Sequence, residues 1–195
     1  MMKGMGWYES RHIDAASYLL RDLAHRKNVE YHGLFYYEDR VYHPRRNRFR
    51  PGVRGLQLLH ERRNNDDSGD HWVLADRNED QLFIYDSARQ KQPRIIGLML
   101  DKLKNLVPGE RGTKITAFYP KVQLQNNGYD CGPHAIAFAV KLINANVVST
   151  TNFNKQTLRP HLVNAFETLH LNSFPTTGGR PRVAATNEVV ATFTL

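Results

Sequence analysis

One short stretch of the sequence combines residue types that suit nucleophilic catalysis. Residues 125–139, QNNGYDCGPHAIAFA, join a turn-prone polar run to an apolar one, and Cys131, the only cysteine, lies at the junction. We predict that the apolar run forms a buried helix whose positive end stabilises a thiolate at Cys131. A free cysteine is more often a small buried apolar residue. However, Gly132 allows close approach of another backbone, and Pro133 is tolerated in a first helical turn, which favours a nucleophile.

A thiolate nucleophile also needs a general base, a group that orients the base, and donors for the oxyanion. The run at 70–89, DHWVLADRNEDQLFIYDSAR, predicts a β-hairpin with His71 at the start of one strand and Asp86 at the end of the next. Since these positions lie at the same edge of an antiparallel pair, Asp86 can hold His71 toward the sulfur. The side-chain amide of Gln125 can donate to an oxyanion, alongside the backbone N–H of Cys131.

The composition limits the class of protein in which this chemistry can occur. A chain of 195 residues with 41% hydrophobic residues suits one globular core. No apolar run is long enough to cross a bilayer, and the start, MMKGMGWYES, lacks the apolar core of a signal peptide. A lone cysteine fits a reducing compartment. We therefore expect an intracellular monomer, in the cytoplasm or nucleus, with no membrane contact.

The hydrophobic pattern predicts one α+β domain over residues 1–195, with the order helix, small sheet, helices. Basic residues dominate 40–63, where prolines and glycines predict mostly loop. From Asn172 to the end, 172–195, we predict an irregular tail. Helices are predicted at 10–25, 94–106, 135–145 and 156–171, and strands at 33–37, 71–76, 81–86, 114–120 and 121–125.

The residues singled out above resemble those of the ubiquitin-like-protein-specific (SUMO or sentrin) cysteine proteases and the related adenovirus protease. The family's pattern HW…DS…Q…NG.DCG corresponds here, in the same order, to His71-Trp72, Asp86-Ser87, Gln125, Asn127-Gly128 and Asp130-Cys131-Gly132. The segment GWYESRHIDAASYLL is similar to the family's amino-terminal pattern through Trp7 and Ile13, with Ser10 where an aspartate is usual. The resemblance extends to about Phe174. It implies a papain-like fold, with a small central mixed sheet flanked by helices and the nucleophile at a helix N-terminus.

The resemblance also implies a role for each matched residue. Cys131 attacks the carbonyl of a glycine that ends a ubiquitin-like tail or a Gly-Gly site. His71 serves as general base and then as acid for the leaving amine. Asp86 orients His71, and Gln125 holds the oxyanion together with the Cys131 amide.

Two tryptophans are candidates for substrate binding. By the resemblance, Trp72 and Trp7 would clamp the diglycine of the substrate in a narrow channel. Either tryptophan could instead be an ordinary core aromatic. The partner implied is a ubiquitin-like modifier or a polyprotein that contains Gly-Gly.

A viral or mobile-element polyprotein protease of the same fold is the main alternative to a deconjugating isopeptidase. Small size, basicity and the Gly178-Gly179 pair favour this alternative, and the Gly179–Arg180 bond would be its self-processing site. Pro181 beyond that bond disfavours processing, and a flexible surface turn is the favoured interpretation of the pair. From other classes, an acyltransferase and a nucleic-acid-binding protein stay open, although the order His, Asp, Gln, Cys argues against the latter.

The excess of 27 Lys+Arg over 19 Asp+Glu, a formal charge of +8, favours acidic partners. The densest run of basic residues is Arg45–Arg54. Such a run is usually just a solvated loop, but it could dock an acidic modifier or make weak nucleic-acid contacts. Phe49 alone is available there for base stacking. The sequence has no HExxH or CxxC pattern, so we predict no metal and no cofactor. His134, one turn after Cys131, is predicted to be packed or on the surface rather than to act as the base.

Overall fold

The structure, a computed structural model, describes residues 10–35, 54–62, 70–78, 80–88, 112–145, 147–178 and 187–194. Within these ranges the chain forms three helices and six strands. In chain order the elements are α1 (Ser10–Arg26), β1 (Glu30–Phe35), β2 (Gly55–Arg62), β3 (Asp70–Asn78), β4 (Gln81–Tyr85), β5 (Lys114–Tyr119), α2 (Cys131–Ile143), α3 (Leu158–Thr168) and β6 (Glu188–Thr194).

The six strands form one mixed sheet in the order β1-β2-β3-β4-β5-β6. The pairs β1·β2 and β4·β5 are parallel, and the other three pairs are antiparallel. The predicted hairpin is confirmed, because β3 and β4 pair antiparallel with Leu74 opposite Tyr85. Residues 71–77 of β3 are all buried, which is typical of a strand covered on both faces.

The three helices pack with one face of the sheet around the larger of two hydrophobic clusters. In α2, twelve of the thirteen residues are buried, as the nearly uninterrupted apolar sequence requires. In α1, the buried residues recur at helical spacing, as Ile13, Ala16, Leu20 and Leu23 show. The predicted helix at 10–25 is therefore confirmed.

The opposite face of the sheet carries the second hydrophobic cluster. It consists of Leu59, Val73, Ala75, Leu82, Ile84, Ile115, Ala117 and Tyr119, with Val190, Ala191 and Phe193 of β6 packed against it. The prediction of an irregular tail over 172–195 is therefore wrong for Glu188–Thr194, which pairs antiparallel with β5. This strand is only half-buried, so its apolar alternation is too weak to indicate a strand from the sequence alone.

Two other local predictions are wrong. The 40–63 stretch is not loop at its end, because Gly55–Arg62 forms an inner strand between β1 and β3. Residues 121–125 do not form a strand, although Gln125 donates its backbone N–H to the Ser87 carbonyl. Instead of a ladder, the Gln123 side chain exchanges two hydrogen bonds with the backbone of Phe153, at 3.0 and 2.8 Å.

Several predictions fall on residues that the structure does not describe. These are the helix at 94–106, Trp7, all of the basic run Arg45–Arg54 except Arg54, and the Gly179–Arg180 bond. Among the helices in the described ranges, none combines the length and apolarity needed to span a membrane.

Candidate active site

His71 and Asp86 meet at the same end of the neighbouring strands β3 and β4, as the hairpin predicted. His71 is the second residue of β3, and Asp86 directly follows the last residue of β4. The His71 Nε2 lies 2.9 Å from Asp86 Oδ1. Both side chains are nearly inaccessible, with 3% and 1% exposed. Their interaction is therefore little weakened by solvent.

Asp86 has two further hydrogen-bond donors. The Tyr119 hydroxyl, at the end of β5, donates to Oδ2, and the backbone N–H of Ala88 donates to Oδ1 at 2.8 Å. Burial alone would raise the pKa of Asp86, but the bonds from His71, Tyr119 and Ala88 lower this pKa to about 2. Asp86 is therefore a carboxylate throughout the physiological range.

Cys131 is the first residue of α2, so the predicted placement of the thiol at a helix N-terminus is confirmed. Its residue is 2% exposed, and its thiol hydrogen-bonds His71. Since Nε2 of His71 faces Asp86, the other ring nitrogen, Nδ1, is left for the sulfur. The imidazole is thereby placed between a carboxylate and a thiol.

The charge state of His71 follows from these neighbours. Burial alone would lower the pKa of His71, but the hydrogen bonds and charges of Asp86 and Cys131 raise this pKa to about 10. His71 is thus an imidazolium at neutral pH. The sulfur of Cys131 therefore lies between a cation and the N-terminus of α2, which is the kind of position in which reactive cysteines are found.

The loop before Cys131 is fixed by a polar cluster that the sequence did not predict. Asn127 Oδ1 accepts from the backbone N–H groups of Tyr129 and Asp130, at 3.0 and 2.9 Å. Asn127 Nδ2 donates to one carboxylate oxygen of Asp130 at 2.7 Å, and Arg159 Nε donates to the other at 2.6 Å. A turn built by Asn and an ion pair to α3 therefore set the position from which α2 begins.

Gln125 lies beside the end of β4, close in space to the residue that follows Asp86. Its backbone N–H donates to the Ser87 carbonyl at 2.9 Å, and its side-chain oxygen accepts from the Ser87 hydroxyl at 2.7 Å. The structure thus brings Gln125 to the His71–Asp86 edge, six residues before Cys131. Its role as an oxyanion donor stays a prediction.

Trp72 is 2% exposed and belongs to the larger hydrophobic cluster. Its ring centroid lies 4.4 Å from that of His60, which is its cross-strand partner on β2. This packing favours the core alternative for Trp72, and substrate contact stays a prediction. Trp7 lies outside the described residues.

His134, predicted to be either packed or on the surface, is buried in the structure. Burial, with a smaller contribution from Lys155, lowers the pKa of His134 to about 4, against an opposing effect of Asp130. The ring packs on Phe138, with the two centroids 5.8 Å apart. Among the described residues, no group of three or more His, Cys, Asp or Glu side chains could hold a metal ion.

A sequence model of the Ulp1 protease family, C-terminal catalytic domain, matches residues 64–171, which is more than half of the chain. The chain therefore belongs to this family of cysteine peptidases, and the resemblance inferred from the His71 to Cys131 motifs is confirmed. No curated protein sequence matches the chain significantly.

Solved structures with the same fold include yeast Ulp1 in complex with Smt3, the yeast ortholog of SUMO. That structure is 14% identical, with a TM-score of 0.57 over 86% of this chain and 79% of the other. The Ulp1-like SUMO protease of Chaetomium thermophilum is 15% identical, with a TM-score of 0.53, and 83% of this chain covers 71% of it. The Xanthomonas campestris effector XopD, bound to ubiquitin, is 20% identical, with a TM-score of 0.51 over 84% and 93% of the two chains. The predicted α+β fold of the ubiquitin-like-protease type is thus confirmed.

Proposed function

We propose that the protein is a cysteine peptidase that cleaves after the terminal glycine of a ubiquitin-like modifier, with Cys131 as the nucleophile. The observation that carries this proposal is the position of His71, which bonds Asp86 at 2.9 Å and the thiol at the first residue of α2. A buried carboxylate, an imidazolium and a sulfur in one hydrogen-bonded series are the parts required for acyl transfer to a thiol.

In the first half of the reaction, the thiolate of Cys131 attacks the carbonyl carbon of the scissile bond. A C–S bond forms, and the electron pair of the C=O bond moves onto the oxygen. When the oxyanion collapses, the C–N bond breaks and the His71 imidazolium gives its proton to the departing amine nitrogen. The products of this half are a thioester on Cys131, a free amine and a neutral His71.

In the second half, water replaces the amine. Neutral His71 takes a proton from the water as its oxygen attacks the thioester carbonyl carbon. The C–S bond then breaks, the sulfur leaves as a thiolate, and the released acid ends in a new carboxyl group. The imidazolium and the thiolate are both restored. Asp86, with its pKa of about 2, keeps its negative charge through the cycle and stabilises each imidazolium form.

Access to the sulfur supports a glycine-ended substrate. Cys131 and His71 are 2% and 3% exposed, which favours a substrate of small cross-section next to the scissile bond. Glycine has the smallest cross-section of any residue, and a Gly-Gly end presents backbone alone. The formal charge of +8 also favours an acidic partner. Yeast Ulp1 and XopD were solved with Smt3 and ubiquitin, respectively.

The test uses ubiquitin, SUMO and related modifiers that carry an electrophile in place of the terminal carboxyl group. We expect wild type to form a covalent adduct with at least one modifier, and Cys131→Ala to form none. Intact mass reports the adduct, and tryptic mapping reports the residue. As a control for the fold, both proteins should unfold at similar temperatures.

Labelling by iodoacetamide without labelling by any modifier would contradict the modifier proposal. A reactive thiol would then serve another Gly-Gly substrate, such as a polyprotein. Comparison of the intact masses of wild type and Cys131→Ala tests self-processing separately, since cleavage of the Gly179–Arg180 bond would shorten only the wild type.

A further inference from the structure

The side-chain amide of Gln125 has one oxygen and two N–H groups, and the oxygen and one of the N–H groups are hydrogen-bonded. Its oxygen, Oε1, accepts a hydrogen bond from the Ser87 hydroxyl at 2.7 Å. Its nitrogen, Nε2, donates to the backbone carbonyl of Asn127, also at 2.7 Å. A carboxamide is planar, so two such bonds at opposite ends fix both the position and the rotation of the group. The direction of the second N–H on Nε2 is then determined as well.

The orientation of this amide is not interchangeable. If the oxygen and nitrogen were exchanged, Oε1 would face the Asn127 carbonyl, and two acceptors would be in contact. Only the observed orientation gives each atom a complementary partner. Ser87 is 1% exposed, so water does not readily replace its hydroxyl.

Both supports of the amide are themselves anchored. Ser87 directly follows Asp86, whose carboxylate is held by His71, Tyr119 and Ala88. At the other end, Asn127 is held by the Asp130 carboxylate, which Arg159 of α3 binds at 2.6 Å. A continuous series of hydrogen bonds therefore joins the edge of the sheet to the loop before Cys131.

We propose that Ser87 is a positioning residue that fixes the Gln125 carboxamide so that its remaining N–H is set in advance for the oxyanion. This inference rests on the proposed function, because an oxyanion arises only when Cys131 attacks a carbonyl. A donor that is already oriented loses no free energy to reorganisation when the charge develops. Within the described residues, the Ser87 hydroxyl bonds the Gln125 side chain and not the sulfur or the imidazole, so it acts through Gln125.

The kinetic test compares Ser87→Ala, Ser87→Thr and Gln125→Ala on whichever modifier the electrophilic probes identify as a substrate. Removal of one oxyanion donor typically lowers kcat by about 10²–10³-fold. We expect Gln125→Ala to lose about that much and Ser87→Ala about 10-fold or more, with KM within about 2-fold. Ser87→Thr keeps the hydroxyl and should restore most of the activity. The double variant should be no slower than Gln125→Ala alone.

Two controls separate positioning from a general structural effect. Ser17→Ala removes another buried serine hydroxyl, which lies 3.0 Å from the Tyr31 hydroxyl on the α1 side of the molecule, and it should leave kcat unchanged. Alkylation of Cys131 by iodoacetamide forms no oxyanion, so its rate should be the same in wild type and Ser87→Ala. Equal losses in alkylation and hydrolysis, or a rise in KM alone, would overturn the assignment.

A readout that needs no substrate keeps the inference separate from the proposed function. In ¹⁵N-labelled protein, the Gln125 side-chain NH₂ signals are identified by their absence in Gln125→Ala. We expect slow exchange and shifted resonances in wild type, and values typical of a free amide in Ser87→Ala. Unchanged signals would refute positioning by Ser87. If the Gln125 signals change to free-amide values in Ser87→Ala, but the wild type cleaves no modifier, positioning by Ser87 is upheld and the proposed function is refuted.

Discussion

At the scale of single residues, the charge on His71 is the property on which the site depends. The ring lies in a buried place that disfavours a cation, yet two acceptors raise its pKa to about 10. Coulomb attraction is strong there because water is largely excluded. The imidazolium is therefore in place beside the sulfur of Cys131 before any substrate arrives.

Replacement of Asp86 tests this electrostatic account. Asp86→Asn removes the carboxylate charge, while burial continues to disfavour the imidazolium, so the pKa of His71 should fall. Loss of one close opposite charge typically shifts a pKa by about 1–3 units. We expect the alkaline limb of the pH profile of kcat/KM to move down by that amount from its wild-type position near pH 10.

Asp22→Asn is a matched control for that experiment, since Asp22 forms a solvent-exposed ion pair with Arg26 on α1. Its pH profile should follow that of wild type. An alkaline limb that stays in place in Asp86→Asn would show that the carboxylate does not maintain the imidazolium.

The sequence predicted His71, Asp86, Gln125 and Cys131 because their types and order carry information without knowledge of the fold. The hairpin alone brings two of them together. Tyr119 and the hydroxyl of Ser87 could not be assigned roles in this way. Tyr119 reaches Asp86 only because β5 lies parallel to β4, and the sequence did not specify that long-range register.

At the scale of elements, β6 shows why the end of the described chain was mispredicted. It has the β-branched residues of a strand but places most of them near solvent. Its structure is decided by pairing with β5, which is distant in sequence, and not by local hydrophobic alternation. The same holds for β2, whose inner position in the sheet could not be predicted from the glycines and arginines around it.

Two substitutions on β6 measure what the strand contributes. Phe193 packs against the cluster on the second face of the sheet, whereas Val189 is 56% exposed. Phe193→Ala should lower the free energy of unfolding by about 1–2 kcal/mol through lost apolar burial. Val189→Ala, the control, should change it by less than about 0.5 kcal/mol. Urea titration gives both values, and equal losses would mean that β6 is not anchored through Phe193.

At the scale of the whole molecule, the same buried pair links stability to pH. Asp86 has a pKa lowered from 3.8 to about 2, so its contribution is present above 3.8 and is lost as the pH falls through 2. His71 has a pKa raised from 6.5 to about 10, so its contribution is present below 6.5 and is lost as the pH rises through 10. Both contributions are complete between about pH 4 and 6.5.

A difference measurement isolates this effect from the other titrating groups. The free energy of unfolding of wild type minus that of His71→Gln should be largest between about pH 4 and 6.5 and should decline steadily up to pH 10. His25→Gln, which changes an exposed histidine of α1, should give a difference that does not vary in this way. A flat difference for His71→Gln would contradict a raised pKa in the folded state.

The presence of a single sulfhydryl in these 195 residues has a consequence for oxidative stress. If a peroxide converts Cys131 to its sulfenic acid, no second thiol within these residues can condense with it to form a protective disulfide. Recovery then depends on an outside reductant small enough to enter a 2% exposed position. Glutathione-sized thiols and larger reducing proteins should therefore differ in how fast they restore the enzyme.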